Sequence, residues 1–194
     1  MKQIFNVLVL SVFVLFVFSC ASSRRSANKD SFIPFTRELK QRLERDSVDL
    51  RLVQFYIDQK IVMTRNLGNE KLVVTSGVVK FNNGQYINEV IVPSYTPGIC
   101  ENAMNEKLMI SFEKGNNDLA FGSGSGFSAN EYVLYGNEWK NGSAVVSFDN
   151  NKFRAYCASC QDLSMAKLVV RKSEIDKIER KTRVLQGRIV DSKN

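Results

Sequence analysis

Two cysteines three positions apart, Cys157 and Cys160, carry the most chemical potential in this chain. Such a pair can work as a redox dithiol when a helix N-terminus lowers one thiol pKa, or it can supply half of a zinc site. Here the pair follows a strand-like run, and no βαβ pattern surrounds it. Cys100 could be a third ligand or an alternative disulfide partner. We therefore expect no metal, and we interpret Cys157 and Cys160 as a structural disulfide or inert thiols.

The chain of 194 residues contains no histidine, and this excludes several familiar sites. Ser-His-Asp and Cys-His catalysis are absent in their usual forms, as are zinc sites that use histidine. A glycosidase needs two carboxyl groups at a defined separation, and no pattern selects a pair among the scattered candidates. Those candidates are Glu89, Glu101, Glu106, Glu113, Asp118, Glu131 and Glu138. We expect a protein that is not an enzyme and has no cofactor, with a carboxylate-dependent hydrolase as the less favoured alternative.

Glycine and serine alternate between Phe121 and Phe127. A phosphate-binding loop would need a following Lys-Ser/Thr or a helix in a βαβ unit, and neither is present. The pattern predicts a surface loop between strands, which could serve as a recognition loop because loops on rigid scaffolds often carry function. The candidate recognition residues are Gly122, Ser123, Gly124, Ser125 and Gly126.

Short alternating runs separated by turn residues predict the elements that would position these groups. Asn83-Gly84 and Asn141-Gly142 lie between β-rich runs and indicate hairpins, because both residue types tolerate positive φ. Asp149-Asn150 is a further turn, and residues 114–117 form another. We expect strands at 48–52, 53–57, 61–65, 73–81, 86–92, 108–112, 118–121, 132–135, 143–148, 152–157 and 168–171. The segment 93–98 is expected to be a strand connection with a Pro-Gly turn.

These signals predict a mainly all-β fold, an antiparallel β-sandwich or barrel-like domain with a short N-terminal helix. The helix is expected over 36–45, where Leu39 and Leu43 share one face. The segment after 171 is left open, because Ile175 and Ile178 suit a helix whereas 183–190 alternates like a strand.

The start of the chain indicates where the protein resides. Residues 4–18 are apolar apart from Asn6 and Ser11, which is short for a membrane-spanning helix but suits a signal-peptide core. Ser19 and Cys20 follow directly. This junction resembles that of a bacterial lipoprotein precursor, and the resemblance implies cleavage before Cys20 and lipidation of Cys20. Residues 1–19 would be the signal peptide, 20–33 a flexible lipidated tether, and 34–194 a single β-rich domain.

Net positive charge is concentrated near the two ends of the mature chain. Residues 20–46 have seven Lys/Arg and four Asp/Glu, and residues 167–194 have nine and four, whereas residues 47–166 have ten and twelve. Basic ends near a lipid anchor could contact anionic headgroups, although solvated charge explains them more simply. Nucleic acid is not an expected partner of an exported protein.

The β-rich pattern with a basic tail is similar to that of uncharacterised envelope lipoproteins of the Bacteroidota type. In that type, surface display is associated with acidic residues after the lipidated cysteine, whereas residues 21–25 here contain none. We expect the periplasmic face of the outer membrane, with the lipid in the membrane and another envelope protein as partner. The favoured function is a non-enzymatic binding or scaffold component. The alternative is a glycan- or lipid-binding module that uses a sandwich face or the 122–127 loop.

Overall fold

The computed structural model describes residues 31–68, 77–115, 117–123 and 130–182. They form two antiparallel sheets packed face to face, so the predicted all-β sandwich is confirmed, and the sheets do not close into a barrel. Two helices accompany the sheets. Within the described ranges, no helix is both long and apolar enough to span a bilayer.

The seven-stranded sheet contains the first and last strands of the domain. In spatial order it consists of β1 (Phe32–Pro34), β13 (Leu168–Arg171), β2 (Gln54–Ile57), β6 (Pro97–Ala103), β7 (Lys107–Ser111), β8 (Asp118–Ser123) and β9 (Tyr132–Leu134). The six-stranded sheet consists of β10 (Asn137–Lys140), β11 (Ser143–Phe148), β12 (Asn151–Cys157), β3 (Ile61–Gly68), β5 (Gln85–Val92) and β4 (Val78–Asn82).

Alternate residues of both sheets point inward and form one hydrophobic core. On β2, for example, Phe55 and Ile57 are fully buried. Phe35 packs edge-on against Phe55 with ring centroids 5.0 Å apart, and its ring lies 5.4 Å from that of Tyr132. These rings close one end of the core, and aromatic pairs of this geometry add about 0.5–1.5 kcal/mol beyond their area burial.

The predicted N-terminal helix is present as α1 (Arg37–Arg45). The Thr36 side chain accepts a hydrogen bond from the Leu39 backbone N–H at 3.1 Å, which caps the first turn. Leu39 and Leu43 are buried against the core, as expected from their spacing on one face.

Three hairpin turns follow the predicted chemistry. In each turn both central residues have positive φ, which suits the right-handed twist of the flanking strands. The pairs are Asn83-Gly84 between β4 and β5, Asn141-Gly142 between β10 and β11, and Asp149-Asn150 between β11 and β12.

The strand predicted at 48–52 is wrong. Leu50–Leu52 is a 3₁₀ turn, and the Asp49 side chain accepts a hydrogen bond from the Arg51 N–H at 3.0 Å. This local bond offers the backbone an alternative to a sheet ladder. The apparent alternation is therefore not a strand face, and Leu52 is 80% exposed.

Strand β6 was not predicted, because Pro97-Gly98 indicates a turn rather than a strand. Proline is tolerated at the first position of a strand. Gly98 faces the core, where an added Cβ would approach Ile110 and Phe112 to within 2.7–2.9 Å. The glycine is thus required by close packing between β6 and β7, which no local pattern reveals.

The segment after β13, left open by the sequence, begins as helix α2 (Lys172–Thr182). Ile175 is buried, and Ile178 packs against the core. The 183–190 alternation lies outside the described residues, as does 73–76 of the predicted fourth strand.

Candidate docking face

The structure joins Cys157 and Cys160 in a disulfide, with their Cα atoms 5.4 Å apart. The bond links the end of β12 to the segment that precedes the 3₁₀ turn Leu163–Met165. Cys100, the alternative partner considered from the sequence, is buried and free. The disulfide therefore closes a very short loop and ties down the chain where it leaves the six-stranded sheet.

Cys100 lies on the inner side of β6 and is 2% exposed. Burial raises the pKa of its thiol to about 11, because a thiolate is poorly solvated there. The thiol stays protonated at neutral pH and is a poor nucleophile or metal ligand. Among the residues that the structure describes, no group of three or more Cys, Asp or Glu side chains could hold a metal ion.

Three of the carboxylates considered for hydrolysis lie close to basic side chains instead. Glu89 pairs with Lys80 at 2.5 Å and Glu131 with Lys167 at 2.7 Å, while Glu138 lies 4.0 Å from Arg154. Two others, Glu101 and Glu113, line an open groove of about 460 Å³. The groove also contains Ile99, Phe112 and Lys114.

The glycine–serine segment begins differently from the prediction. Gly122 and Ser123 are not loop residues but the last two residues of β8. Gly122 is buried close to the Tyr135 ring, and Ser123 Oγ accepts a hydrogen bond from Arg37 at 3.1 Å. Both residues continue the strand because they pair with β9, Gly122 opposite Val133 and Ser123 opposite Tyr132. Gly124, Ser125 and Gly126 lie outside the described residues, and so does Cys20.

Three aromatic side chains close together in the sequence, Tyr132, Tyr135 and Trp139, are dispersed in the structure. Tyr132 is fully buried in the core. The ammonium of Lys107 covers the Tyr135 ring, 3.5 Å from its centroid. Trp139, on the edge strand β10, donates its indole N–H to the Gly136 carbonyl at 2.9 Å. These three side chains do not form one shared site.

A different group of side chains forms the most distinctive surface. Phe32, Tyr56, Tyr95 and Arg171, here called the aromatic–arginine cluster, gather on the outer face of the seven-stranded sheet. Their strand neighbours Ile33, Phe55, Ile57 and Val170 face the core. Because side chains alternate along a strand, Phe32, Tyr56 and Arg171 point away from the core.

Strand register brings the cluster together. Phe32 on β1 is directly opposite Arg171 on β13. Tyr56 on β2 is opposite Val169, so it is a diagonal neighbour of Arg171. The Phe32 ring lies edge-on to Tyr56, at 4.9 Å between centroids, and 4.8 Å from the tilted ring of Tyr95.

Tyr95 reaches the cluster from the turn between β5 and β6. Its φ is +59°, a left-handed conformation that is unfavourable for a residue with a bulky side chain. The turn is held by a hydrogen bond from the Tyr95 N–H to the Ile57 carbonyl at 2.6 Å. The ring is 52% exposed. The backbone thus accepts strain at the position that presents an aromatic ring to solvent, a combination often found at functional sites.

Arg171 is the charged member of the cluster. The carbon of its guanidinium lies 5.1 Å from the Tyr56 ring centroid and 5.8 Å from that of Phe32. Such cation–π contacts contribute about 0.5–2 kcal/mol. Its Nε is buried without a hydrogen-bond partner. No carboxylate of the described residues lies within 4 Å of it, since it takes part in none of their ion pairs.

The cluster extends into an apolar surface along the same face. Tyr56 is opposite Pro97 on β6. Pro97 is exposed, and Ile99, two residues further on the same side of β6, is 49% exposed. Tyr56 itself is only 7% exposed. The face therefore offers a partly buried aromatic floor, an exposed apolar rim and one cation.

Sequence reasoning missed this cluster, although it expected a turn over 93–98, the segment that contains Tyr95. Its members come from four segments that are up to 139 positions apart along the chain (Phe32 to Arg171). The signals that could have helped are the tyrosine between two core residues in 55–57 and the arginine next to the core residue Val170. The pairing of β1 with β13 is a long-range contact that local patterns do not encode.

Comparison of the chain with known protein families, with curated proteins and with solved structures found no match.

Proposed function

We propose that the mature protein is a lipid-anchored, non-enzymatic component of the cell envelope that binds a partner protein through the aromatic–arginine cluster. The observation that carries the proposal is the composition of this face. Tyrosine, phenylalanine and arginine are enriched in protein interfaces, and tyrosine and arginine dominate their binding energy. Here Phe32, Tyr56 and Arg171 are held on paired strands and Tyr95 is held in a hydrogen-bonded turn. Little conformational entropy is therefore lost when a partner docks.

A glycan ligand is the weaker alternative for this face. Sugar rings stack on open aromatic faces, but Phe32 packs against both Tyr56 and Tyr95, and Arg171 lies over Tyr56. The neighbouring Pro97 and Ile99 add apolar area without hydrogen-bonding groups. A protein surface uses such area better than a polar sugar does.

The position of the cluster suits a membrane-anchored protein. The cluster includes Phe32, which lies twelve residues after Cys20. A lipid on Cys20 would keep the face within about 40 Å of the bilayer, because an extended chain spans about 3.3–3.6 Å per residue. We therefore expect the partner in or near the same membrane. We propose that this membrane is the outer membrane and that the protein lies on its periplasmic face.

Site-specific photo-cross-linking in cells tests the docking face. A photoreactive amino acid at Ile99 is expected to give one discrete adduct with a second protein. The matched control carries the same group at Trp139, which is exposed on the other sheet. The adduct from position 99 should disappear with Tyr95→Ala. An adduct that is equally strong from both positions, or that survives Tyr95→Ala, would contradict the proposal.

Lipid anchoring has its own test. Cells fed a fatty-acid analogue should label the wild-type protein, and Cys20→Ala should abolish the label, because the lipid would be attached to this thiol. Cys100→Ala is the matched control and should keep the label. Equal labelling of the Cys20→Ala variant would rule out the anchor.

A further inference from the structure

We infer that the partner presents a carboxylate side chain to Arg171, set within an otherwise apolar contact. The inference rests on the proposed function, since it specifies the chemistry of the partner at the same face. It starts from the unsatisfied donors of Arg171. A guanidinium has five N–H donors in a planar fork, and contacts with the Tyr56 and Phe32 rings use none of them.

The other arginines of the described ranges place Arg171 in context. Arg65 also has a buried Nε without a partner, but its Nη1 donates to Asn151. Arg42, Arg51 and Arg154 donate to or pair with Glu179, Asp49 and Glu138. Arg171 combines a buried Nε with no hydrogen bond or ion pair to any described residue. The Nη groups of Arg171, unlike its Nε, are not buried, and they too have no hydrogen bond to a described residue. An occupant that supplies an acceptor can therefore bond to the Nη end of the fork.

A carboxylate is the acceptor that fits best. It can accept two parallel N–H bonds from the fork, and charge-assisted bonds of this kind are about twice as strong as neutral ones. The rings of Tyr56 and Phe32 already hold the guanidinium in place, which reduces the entropy lost when the pair forms. Partial exclusion of water by the surrounding rings strengthens the attraction further.

The surroundings indicate which carboxylate donor would be recognised. The exposed apolar rim formed by Pro97 and Ile99 lies beside the exposed Tyr95 ring on the same face. A protein segment with one Asp or Glu between apolar side chains would fill the rim and satisfy Arg171 together. An acidic sugar or a lipid phosphate would satisfy the charge and leave the rim uncovered.

Peptide selection with the full-length protein in detergent tests this directly. A random dodecapeptide library displayed on phage is selected against the wild type, against Arg171→Gln and against Arg154→Gln. Wild type and Arg154→Gln are expected to enrich peptides with one Asp or Glu flanked by apolar residues. Arg171→Gln should lose that enrichment. Thermal melting of each variant confirms that it is folded.

A double-mutant cycle then measures the pairing. The best peptide is synthesised with its acid and with the matching Asn or Gln. The acid-to-amide change should weaken binding to the wild type at least tenfold and binding to Arg171→Gln less than twofold. Arg171→Lys should fall between them, because an ammonium keeps the charge but not the fork.

The possible failures are distinguishable. Peptides that bind, lose affinity with Tyr95→Ala and show no preference for acids would overturn the carboxylate inference and leave the proposed function standing. Identical selections with wild type, Tyr95→Ala and Arg171→Gln would overturn both. A third result is that Arg171 is required for binding to phosphatidylglycerol vesicles or to an oligouronate, with no peptide binding at the cluster. That result would overturn both proposals, because the ligand of Arg171 would then be a lipid phosphate or a sugar acid.

Discussion

The two outer faces of the sandwich each carry an arginine near aromatic side chains, but the two arginines have different partners. On the six-stranded sheet, Arg154 donates to the Glu138 carbonyl at 2.9 Å and lies 4.0 Å from the Glu138 carboxylate. The Tyr156 ring on the same side of β12 is 40% exposed. On the seven-stranded sheet, Arg171 lies among rings that are packed together, and no described residue offers it such an acceptor. The outer face of the six-stranded sheet therefore supplies an acceptor for its arginine, whereas the described residues of the other outer face supply none for Arg171.

The cysteines of the two sheets also differ in their chemical state. Cys100 on the seven-stranded sheet is a buried thiol within the core, and Cys157–Cys160 is a disulfide at the end of the six-stranded sheet. Burial protects the first, and a covalent bond constrains the second. The same residue type therefore packs in the core of one sheet and cross-links the chain at the end of the other. Substitutions at equivalent residue types on the two sheets can be compared directly.

The largest expected difference concerns the tyrosines of the two outer faces. Tyr56→Ala should lower the free energy of unfolding by about 3–5 kcal/mol, because a nearly buried ring leaves a cavity. Tyr156→Ala should cost less than about 1 kcal/mol, since an exposed ring loses few contacts. Urea denaturation of both variants measures the difference. Equal losses would mean that the two faces are packed alike.

The next effect is a pH dependence that should arise from Cys100. Its pKa is raised from the usual 9.0 to about 11. Above pH 9 the unfolded chain releases this proton while the folded chain keeps it, so stability falls as pH rises towards 11 and is unaffected below 9. The expected loss is about 2–3 kcal/mol.

Denaturation midpoints of the wild type and Cys100→Ala between pH 8 and 11 isolate this contribution from that of other groups. The Cys100→Ala variant should lose less stability over this interval than the wild type does. Parallel curves for the two proteins would show that the buried thiol does not control the alkaline loss.

A smaller effect is expected at the other cysteine site. Replacing Cys157 and Cys160 together by Ser should lower stability by about 2 kcal/mol, because a short loop constrains the unfolded chain only modestly. The purified wild type should contain no stoichiometric zinc and should not catalyse insulin reduction by dithiothreitol. Zinc at one equivalent, or reductase turnover that the double variant lacks, would give this pair an active role instead.

The smallest change in stability is expected at Tyr95. Tyr95→Asn should leave the free energy of unfolding within about 0.5 kcal/mol of the wild type, because asparagine tolerates positive φ and so offsets the lost ring contact. The Ile99 cross-link should nevertheless be lost. A drop of more than about 2 kcal/mol would show that the ring stabilises the fold rather than a complex.

Patterns that depend on neighbouring residues were predictable. The Asn141-Gly142 turn, the strand that follows it and the helix begun by Thr36 all arise from local backbone preferences. The errors occurred where a local signal competed with another. At 48–52 a side-chain cap on Asp49 replaced an apparent strand, and at Pro97 tertiary packing placed a strand where proline and glycine indicate a turn.

The candidate site was not predictable in the same way. Cysteine spacing drew attention to Cys157 and Cys160, but which cysteines pair depends on distances that spacing alone does not define. Arg171 looked like one more basic residue of the C-terminal segment. Its significance comes from Phe32 on the neighbouring strand and from the lack of an ion pair with any described carboxylate, both of which are properties of the assembled sheet.

By itself, the sequence determined an antiparallel β fold, its main hairpins and its first helix, because alternation and turn chemistry act over a few residues. It also predicts the lipidated Cys20, through a short contiguous signal. Only the tertiary structure decided that β1 pairs with β13, that Gly98 must lack a side chain and that an arginine without an ion pair to any described residue lies against the Phe32 and Tyr56 rings. These features depend on register and packing between distant segments, which hydrophobic burial selects for the whole chain at once.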